Sequence, residues 1–182
     1  MSFHPTTQRL ILRAPTLTDT PVFVAILGDH AVAKNLAQIQ HPFTEEHYRD
    51  AMRAYADQRQ KGDSHRFAVT RAMDGALIGL CAVDRMAGGV WDFGYWYGRQ
   101  YWGQGYATEA GRPVLRFAFD DLGAEMLVAY WHFDNPASGH VLEKLGFTAA
   151  GTVQRNSVAR GGQVAATRVQ LTRAQFARKK AA

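Results

Sequence analysis

The chain has 182 residues, of which 47% are hydrophobic and 20% are charged, and we expect one globular domain spanning residues 1–182. This composition excludes a disordered chain, no apolar run reaches the roughly 20 residues that span a membrane, and residues 1–8 lack the apolar core of a signal peptide, so we expect a cytoplasmic protein. The formal net charge of +5 leaves three classes of partner open: an anionic ligand, an acidic protein surface or nucleic acid.

A strand and two helices are predicted in the first third of the chain. Residues 10–13 form a short apolar run that suits a strand. A helix begins near Asp19, has Pro21 in its first turn and runs to about residue 27. A second helix follows residues 42–44, carries apolar side chains at helical spacing, and ends at Gly62.

Three strands are predicted next, at residues 66–71, 77–85 and 90–97. The first two are joined by Asp74-Gly75, which is a hairpin signal, and Gly88-Gly89 turns the chain into the third. We therefore expect an antiparallel meander.

The C-terminal half is predicted to contain both helices and strands. A helix is predicted at residues 107–122, and Pro113 should kink it or end its first segment. The remaining predicted elements are a strand at 126–133, a helix at 137–145 and strands at 147–153 and 164–171. Since the helix after the meander is the single parallel crossover, the fold class should be α+β (mixed α/β) with a mixed sheet.

The segment 100–110, with the sequence QYWGQGYATEA, contains two glycines between a strand and a helix. Backbone N–H groups at such a junction meet at the positive end of the helix dipole and can bind phosphate. A Walker loop is excluded because Tyr106-Ala107 follows Gly105. A dinucleotide fingerprint is disfavoured because Thr108 stands where the third glycine belongs.

The same segment resembles the Q/R-x-x-G-x-G/A loop of the GNAT superfamily of acyl-CoA-dependent N-acetyltransferases, with Gln100, Gly103 and Gly105 in its defined positions. Three further blocks resemble the Rim-type subgroup that acetylates ribosomal-protein N-termini. These blocks are TQRLILR at 7–13, FGYW at 93–96 continued by WGQGYATEA at 102–110, and NPAS at 135–138 continued by VLEKLGF at 141–147.

This resemblance implies a mostly antiparallel central sheet of six to seven strands, splayed at its centre and flanked by about four helices. It also implies direct transfer of an acetyl group from acetyl-CoA to a primary amine in a ternary complex, without a metal. The amine would be a protein N-terminal α-amine or a small-molecule amine.

Coenzyme A would bind along the splayed centre of the sheet. Backbone amides of the glycine loop would bind its pyrophosphate, backbone groups at the end of the third meander strand would bind pantetheine, and two side chains would flank pantetheine and the sulfur. The residues implied are Trp96, Tyr97, Trp102, Gly103, Gln104, Gly105, Tyr106, Ala107, Thr108, Asn135 and Ser138. Asn135 is equally a good helix N-cap, and both roles can coexist.

Two residues are the candidate catalytic groups. Asp92 lies on the strand beside the acyl site and is the candidate base, acting through water, with a solvent-facing strand residue as the alternative. Ser138 is the candidate donor to the departing thiolate, with Tyr130 in reserve.

Other chemically active side chains receive structural interpretations. His132 and Asp134 lack further ligands at metal-binding spacing, so we expect them to shape the acceptor cleft. Cys81 lies in an apolar run and should be a small buried hydrophobe. Aromatic residues exposed beside the acyl site would favour an aromatic or apolar acceptor.

Two competing functions remain. A non-catalytic acyl-CoA-binding or sensor domain would keep the loop without turnover. Nucleic-acid binding is disfavoured, because the basic cluster at 173–180 accompanies no finger, RNP-type or helix-turn-helix pattern. The sequence leaves a homodimer open.

Overall fold

The structure, a computed structural model, describes residues 4–181. One sheet contains seven strands: β1 Leu10–Arg13, β2 Ser64–Arg71, β3 Leu77–Arg85, β4 Trp91–Tyr97, β5 Met126–His132, β6 Thr148–Ser157 and β7 Gly162–Thr172. The α-helices are α1 Thr20–Gly28, α2 His30–Ala33, α3 Glu45–Gln60, α4 Tyr106–Arg116, α5 Pro136–Leu145 and α6 Arg173–Ala181. The expected mixed α+β class is confirmed.

The strand order is β1-β2-β3-β4-β5-β7-β6. Every neighbouring pair is antiparallel except β4 and β5, which run parallel because α4 carries the chain back across the sheet. The predicted meander and its single parallel crossover are therefore confirmed.

The sheet is splayed between its two parallel strands. β4 and β5 pair only at Trp91 with Leu127 and at Asp92 with Val128. Beyond that point β4 stays paired with β3 as far as Tyr97, while β5 follows β7. A slot with unpaired strand edges opens between them, as expected.

Side-chain alternation along β4 divides the two faces of the sheet. Trp91, Phe93 and Tyr97 join the core beneath α4 and α5. Trp96 points the opposite way and packs edge-on against Phe23 of α1, with ring centroids 5.0 Å apart. Since side chains alternate along a strand, Asp92 belongs to the same face as Trp96.

The helix after the glycine loop lies close to its predicted range of 107–122. It begins at Tyr106, runs to Arg116 and widens into a π-helical turn at Phe117–Asp121; Pro113 lies inside it and does not end it. Proline removes one backbone donor, but Val114 and Leu115 beside it are buried in the core. This packing outweighs the lost hydrogen bond.

Three smaller findings complete the fold. Helix α2 had no clear sequence signal, and the basic cluster at the C-terminus lies within α6. Cys81 is fully buried, as predicted, and burial raises the pKa of its thiol. Within residues 4–181, no helix combines the length and apolar content that crossing a membrane requires.

Candidate active site

The glycine loop follows β4 after a 3-10 turn at Arg99–Tyr101 and ends as the N-terminus of α4. Gly103 and Gly105 have φ values of 74° and 80°, in the left-handed region that glycine adopts without steric cost. Gly105 is the N-cap residue of α4. The first N–H groups of a helix have no intrahelical acceptor, so the amides from residue 103 into the first turn can serve an anion.

The remaining loop residues have defined places. The Trp102 amide donates to the Arg99 carbonyl at 3.2 Å, so it is already paired. The side chain of Gln104 donates to the Gln100 carbonyl at 2.8 Å. Tyr106 is buried, and Ala107 and Thr108 are half-buried in the first turn of α4. The loop is thus anchored by its own side chains.

Glu109 ties this loop to the start of the chain. Its carboxylate accepts from the Arg9 amide at 2.9 Å, from Arg9 Nε at 2.7 Å and from the Thr7 hydroxyl at 2.6 Å. Arg9 also donates to the Gln104 carbonyl at 3.1 Å and lies over the Tyr106 ring. Burial opposes ionisation, but these hydrogen bonds lower the pKa of Glu109.

These contacts of Glu109 with Thr7 and Arg9 form a clamp that no sequence pattern indicated. The segments 7–13 and 102–110 were predicted only as separate motifs, although the residues of the clamp belong to both. The clamp explains why the two blocks occur together: a carboxylate in the first turn of α4 fixes the loop against the polypeptide that leads into β1.

Trp96 and Tyr97 lie at the end of the slot that is next to the glycine loop. Trp102 donates its indole N–H to the Tyr97 carbonyl at 2.8 Å, and the residue is 45% exposed. The Tyr97 phenol is buried and, among the described residues, has no hydrogen-bond partner. The start of the glycine loop is thereby fixed to the end of β4.

Asn135 and Ser138 lie on the opposite side of the slot, at the start of α5. Asn135 occupies the N-cap position, but its side chain makes no capping hydrogen bond. The side-chain amide of Asn135 therefore does not cap α5. The Tyr95 hydroxyl lies 2.8 Å from the Ser138 hydroxyl and 3.0 Å from the Ser138 carbonyl, so its single proton is donated to one of these two oxygens at a time.

Tyr95 is a candidate site residue that no sequence pattern indicated. It lies on β4 between Phe93 and Tyr97, on the face that packs beneath α5. Burial raises the pKa of its phenol, so it stays protonated at neutral pH. When Tyr95 donates to Ser138 Oγ, the serine proton can be donated to a third group.

Asp92 lies where the slot opens. It pairs across the sheet with Asp84 of β3 and with Val128 of β5, the last residue of β5 that pairs with β4. Burial raises the pKa of Asp92 to about 6, with Asp84 adding to the rise and Arg155 opposing it. A carboxylate with a pKa near neutrality suits a general base, and such a shift does not fit a freely solvated strand residue.

Tyr130 and His132 extend this face along β5. The guanidinium of Arg155 lies 3.9 Å from the Tyr130 ring centroid. Asp134, just after β5, accepts from Arg160 at 3.0 Å and lies 3.6 Å from the Lys34 ammonium. Arg160 also donates to the Lys34 carbonyl at 2.7 Å.

These contacts give Asp134 a structural task, which is to tie the segment after α2 to the β6–β7 hairpin. His132 is buried beside them; burial lowers its pKa, and its Nδ1 has no partner among the described residues. Within residues 4–181, no group of three or more His, Cys, Asp or Glu side chains could hold a metal ion.

Comparisons with known proteins agree with this geometry. Residues 9–148 match the family described as the acetyltransferase (GNAT) domain. A protein of Bacillus licheniformis named as an uncharacterized N-acetyltransferase is 27% identical over 174 residues, which cover 94% of this chain and 97% of that protein.

Two solved structures are similar to this fold. One is the ribosomal-protein-S5-alanine acetyltransferase of Vibrio fischeri, with a TM-score of 0.81 and 17% identity over 94% of this chain and 97% of that one. The other is the spermidine N-acetyltransferase of Vibrio cholerae in complex with CoA and spermine, with a TM-score of 0.78 and 18% identity over 94% and 99% of the two chains.

Proposed function

This chain belongs to the acetyltransferase (GNAT) family and is an N-acetyltransferase; from that premise we propose that it transfers the acetyl group of acetyl-CoA directly to a primary amine in a ternary complex. The observation that carries the proposal is the slot between β4 and β5, with the glycine loop at one end and Asp92 and Ser138 on its two sides. The acceptor is a protein N-terminal α-amine or a small-molecule amine. The proposed enzyme is one cytoplasmic domain spanning residues 1–182.

The donor side of the proposal rests on unpaired backbone groups. The amides from Gly103 to Thr108 would bind the pyrophosphate at the positive end of α4, and the open edge of β4 at Trp96 and Tyr97 would bind pantetheine as an added strand. Asn135, whose side chain does not cap α5, can donate a hydrogen bond to the pantetheine. Acetyl-CoA supplies an activated acetyl thioester.

On the acceptor side, Asp92 would take the amine proton through water. An α-amine has a pKa near 8 and a lysine amine a pKa near 10.4, so both are largely protonated at pH 7. Asp92, with a pKa of about 6, is ionised at that pH and can accept the proton. The α-amine loses its proton more readily and is the easier acceptor.

Ser138 would stabilise the departing thiolate. A thiol pKa near 8.5 means that the leaving group needs only modest help. Tyr95, which is protonated and lies 2.8 Å from Ser138 Oγ, orients the serine hydroxyl. Tyr130 is less suited to this task than sequence reasoning suggested, because it lies under Arg155 on the face of Asp92.

The proposed function is tested by following thiol release from acetyl-CoA with a panel of amines. The panel includes free amino acids, amino-acid amides, short peptides and polyamines. We expect steady release with at least one class of amine and formation of its N-acetyl product. Tight acetyl-CoA binding without release across the panel would contradict the proposal and favour the sensor domain instead.

The Ser138–Tyr95 pair yields a separate prediction. Ser138→Ala is expected to lower kcat about 10-fold at every pH from 6 to 9, because the lost donor acts on the leaving group rather than on the amine. Tyr95→Phe should lower kcat by a similar or smaller factor. The measurement is the pH dependence of kcat for both variants.

The double variant is the control for a shared role. If the two hydroxyls act as one unit, combining the substitutions should cost little more than Ser138→Ala alone. Fully multiplicative losses would show that the two side chains act independently, and an unchanged kcat in Ser138→Ala would remove the serine from the mechanism.

A further inference from the structure

The geometry points to an anion-binding position on the acceptor side of the slot: we propose that Arg155 binds a carboxylate carried by the acceptor amine. This inference rests on the proposed function, since it assigns a chemical class to the acceptor of that same site. It concerns the face of the sheet that holds Asp92, opposite the face covered by α4 and α5.

Arg155 differs from most arginines of the sheet in forming no ion pair with any described residue. Six arginines lie on strands, and four of them form ion pairs with aspartates: Arg13, Arg66, Arg71 and Arg85. Across the described part of the chain, no carboxylate lies within 4 Å of Arg155 or Arg168. Both exceptions are beside Tyr130.

The position of Arg155 is nevertheless constrained. Its side chain is half-buried, and its guanidinium lies 3.9 Å from the Tyr130 ring centroid. A guanidinium that stacks on an aromatic ring directs its N–H groups sideways, away from the ring face. Two parallel N–H groups in that plane match the two oxygens of a carboxylate.

Arg168 strengthens the same local charge. It pairs in register with Tyr130 across β5 and β7, so its side chain leaves the sheet on the same face. Among the described residues, two cations with no carboxylate within 4 Å therefore flank Tyr130. A polyamine would be repelled here, whereas an anionic acceptor would gain a charge-assisted contact.

The distance to Asp92 fits a small acceptor. Tyr130 lies two residues beyond Val128, the register partner of Asp92, which corresponds to about 6.6 Å along a strand. The positive charge of Arg155 also lowers the pKa of Asp92 against the effect of burial. An amine at Asp92 and a carboxylate at Arg155 would thus be a few bonds apart, as in a free amino acid or in a peptide with an acidic residue next to its N-terminus.

The test compares acceptors that differ in one group. Each free amino acid is paired with its carboxamide, and each peptide that has Asp or Glu at its second position is paired with the Asn or Gln peptide. Thiol release from acetyl-CoA is measured at pH 8 with the wild-type protein and with Arg155→Gln. At that pH Asp92, with a pKa of about 6, is ionised, and small changes of its pKa do not affect the rate.

We expect Arg155→Gln to lower kcat/KM about 10- to 100-fold for carboxylate acceptors, mainly through KM, and to leave carboxamide acceptors within about 2-fold of wild type. Ratios are taken within one acceptor, so differences in amine pKa cancel. Arg155→Lys should recover part of the loss, because lysine keeps the positive charge but lacks the two parallel N–H groups of the guanidinium. Arg53→Gln, on an exposed position of α3, is the matched control and should change neither class.

The outcomes separate this inference from the proposed function. Thiol release that falls equally for carboxylates and carboxamides in Arg155→Gln, or a wild-type preference for polyamines, overturns the anion site and leaves the acetyltransferase intact. Absence of release with every amine overturns both. If Arg155→Gln lowers kcat/KM selectively for the carboxylate acceptor only among the amino acids, or only among the peptides, the result supports the anion site and identifies which of them supplies the carboxylate.

Discussion

Replacing Gly103 or Gly105 with aspartate is expected to weaken acetyl-CoA binding by at least about 100-fold. Both glycines have φ values near +80°, and a side chain in that region strains the backbone by roughly 1–2 kcal/mol. The larger effect is electrostatic, because an added carboxylate would stand where the amides of α4 are proposed to receive the pyrophosphate. Isothermal titration with acetyl-CoA measures the loss.

The matched control is Gly62→Asp. Gly62 has a φ of 75°, close to the 74° of Gly103, and a Cβ built at either position meets no atom within 4 Å. It follows α3 and precedes β2, at the end of the sheet away from the glycine loop. Equal backbone strain should lower Tm by similar amounts in Gly62→Asp and Gly103→Asp, while only the latter loses acetyl-CoA binding.

The assignment of the loop would be abandoned if acetyl-CoA bound equally well to wild type and to both loop variants. Loss of binding in Gly62→Asp as well would attribute the effect to stability. The comparison therefore separates a phosphate site from a turn that merely needs glycine.

Local patterns predicted the elements that position the site. The Asp74-Gly75 turn and the strands around it were predicted because hairpin chemistry lies within a few residues. The junction of β4, the glycine loop and α4 was predicted because glycine spacing and helix onset are also local. The slot between β4 and β5 came from the family resemblance, since no local pattern reports where two parallel strands diverge.

Contacts between distant residues were beyond prediction. Glu109 binds Thr7 and Arg9 about a hundred residues away in the chain, and Tyr95 meets Ser138 across the slot. Both pairs depend on the register of β4 and the placement of α4 and α5, which one sequence does not encode in a short window. Pro113 shows the converse, because its local preference left open whether the helix ends there, and the helix continues past it.

Asp92→Asn is expected to lower kcat about 100-fold near pH 7 and to change the shape of the pH profile. In the wild type, kcat should fall as the pH decreases through about 6, because Asp92 becomes protonated and can no longer accept the amine proton. The variant lacks this group, so that decline should disappear. The two rates should approach each other near pH 9, where an α-amine is already deprotonated.

Asp84→Asn tests whether a neighbouring negative charge contributes to the raised pKa of Asp92. Asp84 is the register partner of Asp92 on β3, and its negative charge contributes to the raised pKa of Asp92. Removing that charge should shift the acidic limb of the profile to lower pH while leaving kcat at pH 8 near the wild-type value. A wild-type profile retained in Asp92→Asn would show that water alone removes the proton.

Stability measurements show whether the activity loss arises from misfolding. The folded-state pKa of Asp92 lies above its unfolded value of 3.8, so folding favours the protonated form, and the stability that this provides is lost as the pH rises through about 6. Asparagine is uncharged at every pH, so it does not carry the cost of burying an ionised carboxylate. Asp92→Asn should therefore raise the free energy of unfolding by roughly 3 kcal/mol at pH 7.5 and change it little at pH 4. A more stable but nearly inactive variant would mean that Asp92 is kept for its proton chemistry and at the expense of stability, whereas a destabilised variant would show that the carboxylate has a structural role instead.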